Sequence, residues 1–287
     1  MPGPRPPGTV TDMPRLALLL LLVFAAPCRA ELPEHLSQTG LDDASVRAFE
    51  PRFALWSDGA AKRRWIAMPP AGAVDASDPD AWRFPPGTRL WKEFSIDGRR
   101  VETRHIAVGA DGHVEFASYV WDGADAVRAP ARGLTLALPG GKAYVIPSVG
   151  DCVACHAGAR SPVLGFAALQ LGPAVPALLR EGLLKNAPAA WATQPPDFIA
   201  ATPAERAARG YLHANCGHCH FEGGVPVPLR LALDIGQPPA PVDGATVLKR
   251  AGTRNPYQQM PPLGTREIDA QGLALLAHHF NPETSRP

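Results

Sequence analysis

Along residues 99–122, RRVETRHIAVGADGHVEFASYVWD, apolar and polar side chains alternate in two runs that meet at the turn residues GADGH. A period of two sends neighbouring side chains to opposite faces of a strand, so the pattern predicts an antiparallel hairpin. LWKEFSID (90–97) and KAYVIPS (142–148) read as further strands. Beyond Pro147 the apolar spacing lengthens. PVLGFAALQL (162–171), AVPALLREGLLK (174–185), TPAERAARGYLHANCGHCH (202–220) and the stretch from about Ile268 to Phe280 read as helices broken by proline and glycine. Thr202-Pro203-Ala204-Glu205 has the residues of a capped helix start with proline in its first turn. The pattern is that of an α+β chain. A β-rich N-terminal domain over 31–145 is followed by a mainly α-helical domain over 146–287.

One segment follows neither period. In MPRLALLLLLVFAAPCRA (13–30), Arg15 precedes an apolar run from Leu16 to Ala26, and small residues end at Ala30. This is the anatomy of a secretory signal peptide over residues 1–30, cleaved after Ala30, and it predicts a periplasmic protein. The run is too short to span a bilayer comfortably, so no transmembrane segment is expected in the mature chain. Cys28 raises the alternative of a lipidated cysteine, which Pro27 directly before it disfavours.

Composition refines this little. Hydrophobic residues at 46% suffice for a packed core, while 33 prolines and 27 glycines among 287 residues favour short elements and long loops. A formal charge of +1 offers no basis for nucleic acid as a partner. The acidic stretch GAVDASDPDAW (72–82) lacks ligands at EF-hand positions and reads as a solvated loop. No nucleophile elbow or phosphate loop is present.

The cysteines change the picture. With Cys28 in the signal, the other four lie in DCVACH (151–156) and NCGHCH (215–220). Zinc would accept paired C-x-x-C clips, but it needs no histidine after the second cysteine, and the distance from Cys155 to Cys216 is far from ribbon spacings. With 9 histidines in 287 residues, a chance histidine at both positions is on the order of one in a thousand. A thioredoxin-type disulfide needs a βαβ context that neither motif has. Covalent haem uses every residue: two thiols join the haem vinyl groups, and the adjacent histidine ligates the iron. The expectation is two c-type haems, one on Cys152 and Cys155 with His156 as ligand, the other on Cys216 and Cys219 with His220.

For the second haem, Met260 in QMPPLG (259–264) is the candidate sixth ligand, presented by a proline turn ahead of the last helix. For the first, His213 and Met68 are candidates, His213 because it precedes Cys216 by three residues and Met68 because AMPPAG (67–72) echoes the later turn. An open position is the third option, and it would make that haem reactive. His105 and His113 read as surface or strand-pairing residues, and His278 and His279 as packing residues of the last helix.

Taken in order, LWSDGAAKRRW (55–65), VETRH (101–105), VIPSVGDCVACH (145–156), LGFAALQL (164–171), YLHANCGHCH (211–220) and MPPLG (260–264) resemble a bacterial family of exported dihaem c-type cytochromes whose function is not established. The resemblance implies haem attachment at the four cysteines and ligation by His156 and His220. Family members are often encoded beside a secreted parallel β-helix repeat protein, which implies that protein as a redox partner. The expected function is haem binding and electron transfer. The rivals are a peroxidase-like haem oxidoreductase working at an open first haem, and a binding module with Trp56, Trp65, Trp82 and Trp91 lining a sugar site.

Overall fold

The computed structural model describes residues 32–281 together with positions 1 and 3; the apolar run of the signal reading and Cys28 lie outside the described residues. The strands, in chain order, are β1 (Arg47–Ala48), β2 (Ala61–Ala67), β3 (Val74–Asp75), β4 (Arg89–Ile96), β5 (Arg99–Val108), β6 (Val114–Asp122), β7 (Asp125–Arg128), β8 (Leu134–Ala137), β9 (Ala143–Ile146) and β10 (Leu184–Lys185). The helices are α1 (Val149–His156), α2 (Ala168–Leu171), α3 (Val175–Arg180), α4 (Pro203–Asn215), α5 (Gly244–Ala251) and α6 (Ala270–Phe280). The fold is α+β. Among the described residues no helix is long and apolar enough to cross a membrane.

Six strands form an antiparallel sheet in the order β1-β2-β4-β5-β6-β7. Its central hairpin, β5 to β6, turns at the GADGH stretch as the alternation predicts. Register then decides which side chains share a face. Trp65, Trp91, His105 and Ala117 form one cross-strand row. One residue along, Arg64, Lys92, Arg104 and Ser118 form a row on the opposite face.

The first face is closed by the segment before β1. Leu36 packs with Trp91, Ala117, Tyr119 and Ala126. His105 belongs to this core rather than to the surface: it is 2% exposed, stacks on Trp91 at 5.1 Å, and donates from Nδ1 to the Leu90 carbonyl. The alternation around it was legible, but which face faced water was not.

The other face carries Ile66 and Leu90 into a core with Val163, Phe166, Leu171 and Trp191. A break near residue 146 therefore does not divide the hydrophobic core, and the described residues from 32 to 281 cluster as one compact unit. The 72–82 loop departs from its solvated reading too. Val74, Ala76 and Trp82 are buried in this core, and β3 pairs in parallel with β10. Full burial of a side chain the size of valine contributes roughly 1.5–3 kcal/mol, which outweighs the loop's exposed acids in fixing its path.

The helical readings hold best where packing supports them. Thr202 caps α4 by accepting from the Glu205 amide at 3.1 Å. α4, α5 and α6 bury Ala208, Leu212, Val247 and Leu276 against one another. Gly272 permits this approach, since a Cβ there would stand 2.4 Å from the Tyr211 ring. Elsewhere the elements are shorter than the apolar runs. Gly182, at φ +71°, follows α3 and turns the chain into β10. α4 stops at Asn215, before the second cysteine motif, instead of running through it.

Candidate functional site

The first motif lies on α1. Ser148 caps this helix: its hydroxyl accepts from the Asp151 amide, and the Asp151 carboxylate accepts from the Ser148 backbone N–H. Cys152, Cys155 and His156 are therefore carried on one rigid helical segment against β6, where the His156 ring lies 5.1 Å from Phe116. His156 Nδ1 donates to the Pro162 carbonyl at 2.7 Å, which leaves the lone pair of the neutral ring on Nε2. Burial holds that ring's pKa down to about 4, so it is neutral at pH 7, the form that binds a metal.

All four thiols are free. Burial pushes Cys152 up to about 11 and Cys216 up to about 12, and burial together with the nearby Cys219 raises Cys155. Redox-active C-x-x-C sites depress the pKa of a thiol, and zinc sites bind thiolates. Here burial outweighs the opposing pull of Arg104 on Cys152 and of Arg104 and Lys92 on Cys155, so the net shift is upward. Among the described residues no group of three or more His, Cys, Asp or Glu side chains converges to hold a bare metal ion.

The second motif starts where α4 ends. Asn215 accepts from the Trp56 amide at 2.7 Å and donates to the Ala54 carbonyl at 3.0 Å, which ties the helix end to the loop before β2. That loop also holds the methionine turn. The Asp58 carboxylate accepts from the Arg266 and Glu267 amides, and Trp56 Nε1 donates to the Glu267 carbonyl at 3.0 Å. Met260 lies outside any helix, as expected, and its amide donates to the Arg250 carbonyl at 3.0 Å. Arg250 is also close enough to His220 to lower its pKa, after burial. His220 and Met260 thus share a neighbour.

Several polar atoms here have no partner. His220 Nδ1, Arg250 Nε, Arg254 Nε and Thr265 Oγ1 are buried without a hydrogen bond. The Leu229 carbonyl lies near enough to His220 to raise its basicity, yet the pair does not reach hydrogen-bond geometry. Unpaired buried groups cost about 1–3 kcal/mol each. Arg250, Arg254 and Thr265 are donors suited to a cofactor's carboxylates, and His220 is an imidazole suited to a metal, so the donor set is compatible with a haem.

The two motifs approach one another, with Cys155 near Cys219 and His156 near His218. A cavity of about 120 Å³ is lined by Cys152 and His156 on one side and by the sheet face of Arg64, Lys92 and Arg104 on the other. A second, of about 130 Å³, is lined by His213 and His218. Leu164, Gly165, Gln170 and Ala214 line both. A wider cavity of about 690 Å³ runs from Arg104, Tyr144 and Asp151 to the loop around Pro262, a volume typical of cofactor sites.

The candidates for the first sixth position are not placed for that role. His213 Nδ1 accepts the Leu233 amide at 3.0 Å, so the proton of the neutral ring sits on Nε2 and its metal-binding lone pair is absent. Three residues before a cysteine is the expected helical offset, and in this structure the ring's Nδ1 is engaged by the Leu233 amide. Met68 packs against the Ile66 and Phe166 core, its sulfur 3.7 Å from the Thr88 hydroxyl, and lines a different cavity from His156. Of the four tryptophans named for a sugar site, Trp82 and Trp91 are buried.

Sequence reasoning missed Trp56, Asp58 and Asn215 as tethers, and the cationic row opposite His156. Burial, with Arg104 and Arg64 adding, holds Lys92 well below the ordinary amine range. A signal existed for the row, because Lys62 and Arg64 alternate with Arg63 and Trp65 and so share a face. No protein-family model, no curated protein and no solved structure matches this chain.

Proposed function

We propose that the protein is an exported dihaem c-type cytochrome that carries electrons between partners in the periplasm. The observation that carries this reading is the hydrogen bond from His156 Nδ1 to the Pro162 carbonyl, which aims a free Nε2 lone pair from the same helix that holds two uncharged thiols. In this reading Cys152 and Cys155 tether the first haem and His156 ligates it, while Cys216, Cys219 and His220 do the same for the second. Bound haem supplies one-electron chemistry through its iron. Met260 offers a thioether to the second iron, an arrangement that raises the reduction potential. Asp58 and Trp56 keep the methionine turn docked. The family resemblance supports the same assignment, and makes the secreted β-helix repeat protein the redox partner to test first.

A second reading is favoured by one specific observation: neither His213 nor Met68 is placed to ligate the first iron. In that reading the first haem keeps an open position and the protein is a haem oxidoreductase. One experiment separates them. The exported, haem-matured protein is reduced, and its absorption spectrum is recorded with and without carbon monoxide. Two haems per chain and no spectral change mean two six-coordinate irons and support electron transfer alone. A shift in half of the haem supports the open first site. Properly matured protein with no covalent haem rejects both.

A further inference from the structure

We infer that the sheet face opposite His156 is a carboxylate seat, built from Arg64, Lys92 and Arg104, and that its occupants are the propionate groups of the first haem. The inference rests on the haem reading of the Cys152–His156 motif. Its geometry comes from strand register alone. Arg64 pairs with Lys92, and Lys92 with Arg104, so three cations stand side by side on the centre of one sheet face. All three line the cavity that Cys152 and His156 close from the other side.

The half-buried row holds three cations, and the carboxylates near it are taken up by two of them. Glu102 is fully buried and already committed: Arg104 grips it through Nε at 2.9 Å and Nη2 at 3.1 Å, and the Tyr144 hydroxyl donates to it at 2.7 Å. Glu50 is the carboxylate that favours charge on Arg64. Lys92 has no hydrogen bond or ion pair among the described residues; its ammonium lies 4.9 Å from the Phe94 ring. The next member of the row, Ser118, pairs with Arg104 and has a buried hydroxyl without a partner. Lys92 is thus the cation of the half-buried row left without a partner, and a counter-anion in the cavity would let it carry its charge. Two carboxylates on a covalently held cofactor meet that need without relying on a solute. A free carboxylate entering the cavity would satisfy the same groups.

The test uses the haem-loaded protein and measures covalent haem per chain, the midpoint potentials of the two haems, and a titration with sodium acetate. Arg64→Gln and Lys92→Met are compared with Lys92→Arg. A cation beside the first haem disfavours the ferric charge, so removing it lowers the potential of one haem and leaves the other unmoved. Lys92→Arg restores the wild-type value, which a merely structural lesion would not. Acetate without effect then identifies the propionates as the occupants. A saturable acetate response in the wild type that Lys92→Met abolishes keeps the seat and assigns it to a free carboxylate. Two haems per chain, unchanged potentials and no acetate response overturn the proposal. Should Lys92→Met fail to fold, Arg64→Gln carries the same comparison. Wild-type protein without covalent haem rejects the underlying haem reading and the propionates with it, and acetate binding to that protein, followed by calorimetry, then decides the seat.

Discussion

The same five-residue pattern is set in two different surroundings. On α1 the first motif sits within a capped helix and faces a β-sheet whose inner row is cationic. After α4 the second begins beyond the helix end, near Arg250 of α5 and the loop of Arg254 and Met260, both arginines with unpaired Nε atoms. One is framed by strand register, the other by tethers between distant loops. On the proposed haem reading, the motif would specify only attachment and the first axial bond. What an iron held there would then do would be set by the scaffold opposite, and the two scaffolds differ in whether a methionine stands nearby.

The largest test of this contrast is attachment itself. Replacing Cys152 and Cys155 with serine is expected to lower covalent haem from two per chain to one, read by haemochrome absorbance or intact mass, and the Cys216 and Cys219 pair should do the same independently. If either pair abolished both haems, the two sites would not be separable. Next comes the ligand contrast. Met260→Leu should remove the thioether signature of one ferric haem, whereas Met68→Leu, a volume-conserving core swap, should cost under about 1.5 kcal/mol and leave the spectrum unchanged.

A third variant sharpens the contrast between two histidines. His213→Leu should leave both haem spectra intact yet destabilise the fold by about 1–3 kcal/mol, because the Leu233 amide loses its acceptor. Loss of a six-coordinate signal in that variant would instead make His213 a ligand. The last variant, read only through a pH dependence, distinguishes the two faces of the sheet. Burial holds His105 at about 4, with the Leu90 carbonyl opposing and Arg89 assisting, against an ordinary 6.5. Between those values the unfolded chain takes up a proton that the native ring refuses, so this contribution is present at neutral pH and fades as the pH falls from 6.5 toward 4. Between pH 7 and pH 5 the loss is about 2 kcal/mol. Urea unfolding of His105→Phe should show a correspondingly shallower decline over that range than the wild type.

Much of the fold could be read before any coordinates, and for definite reasons. The hairpin of β5 and β6 declares itself by alternation, and α4 by its Thr202 cap, because both signals are local. The shared core was hidden. Nothing near Val74 or Trp82 in sequence reveals that Phe166 and Trp191 complete their environment. The site divides in the same way. Cys152, Cys155 and His156 are adjacent and speak for themselves, whereas the fate of His213 depends on an amide twenty residues away. The Arg64–Lys92–Arg104 row needed strand pairing to become a row at all.

Leu164, Gly165, Gln170 and Ala214 form a partition common to the cavities on either side. The cysteine motifs themselves approach one another, Cys155 near Cys219, so redox centres held by them would be poorly insulated from each other. Charging one centre would make the second harder to reduce, so the two would fill as an interacting pair with split macroscopic midpoints, as neighbouring titrating groups do. Such a protein would behave as a small two-electron capacitor whose second charge is held less tightly than its first.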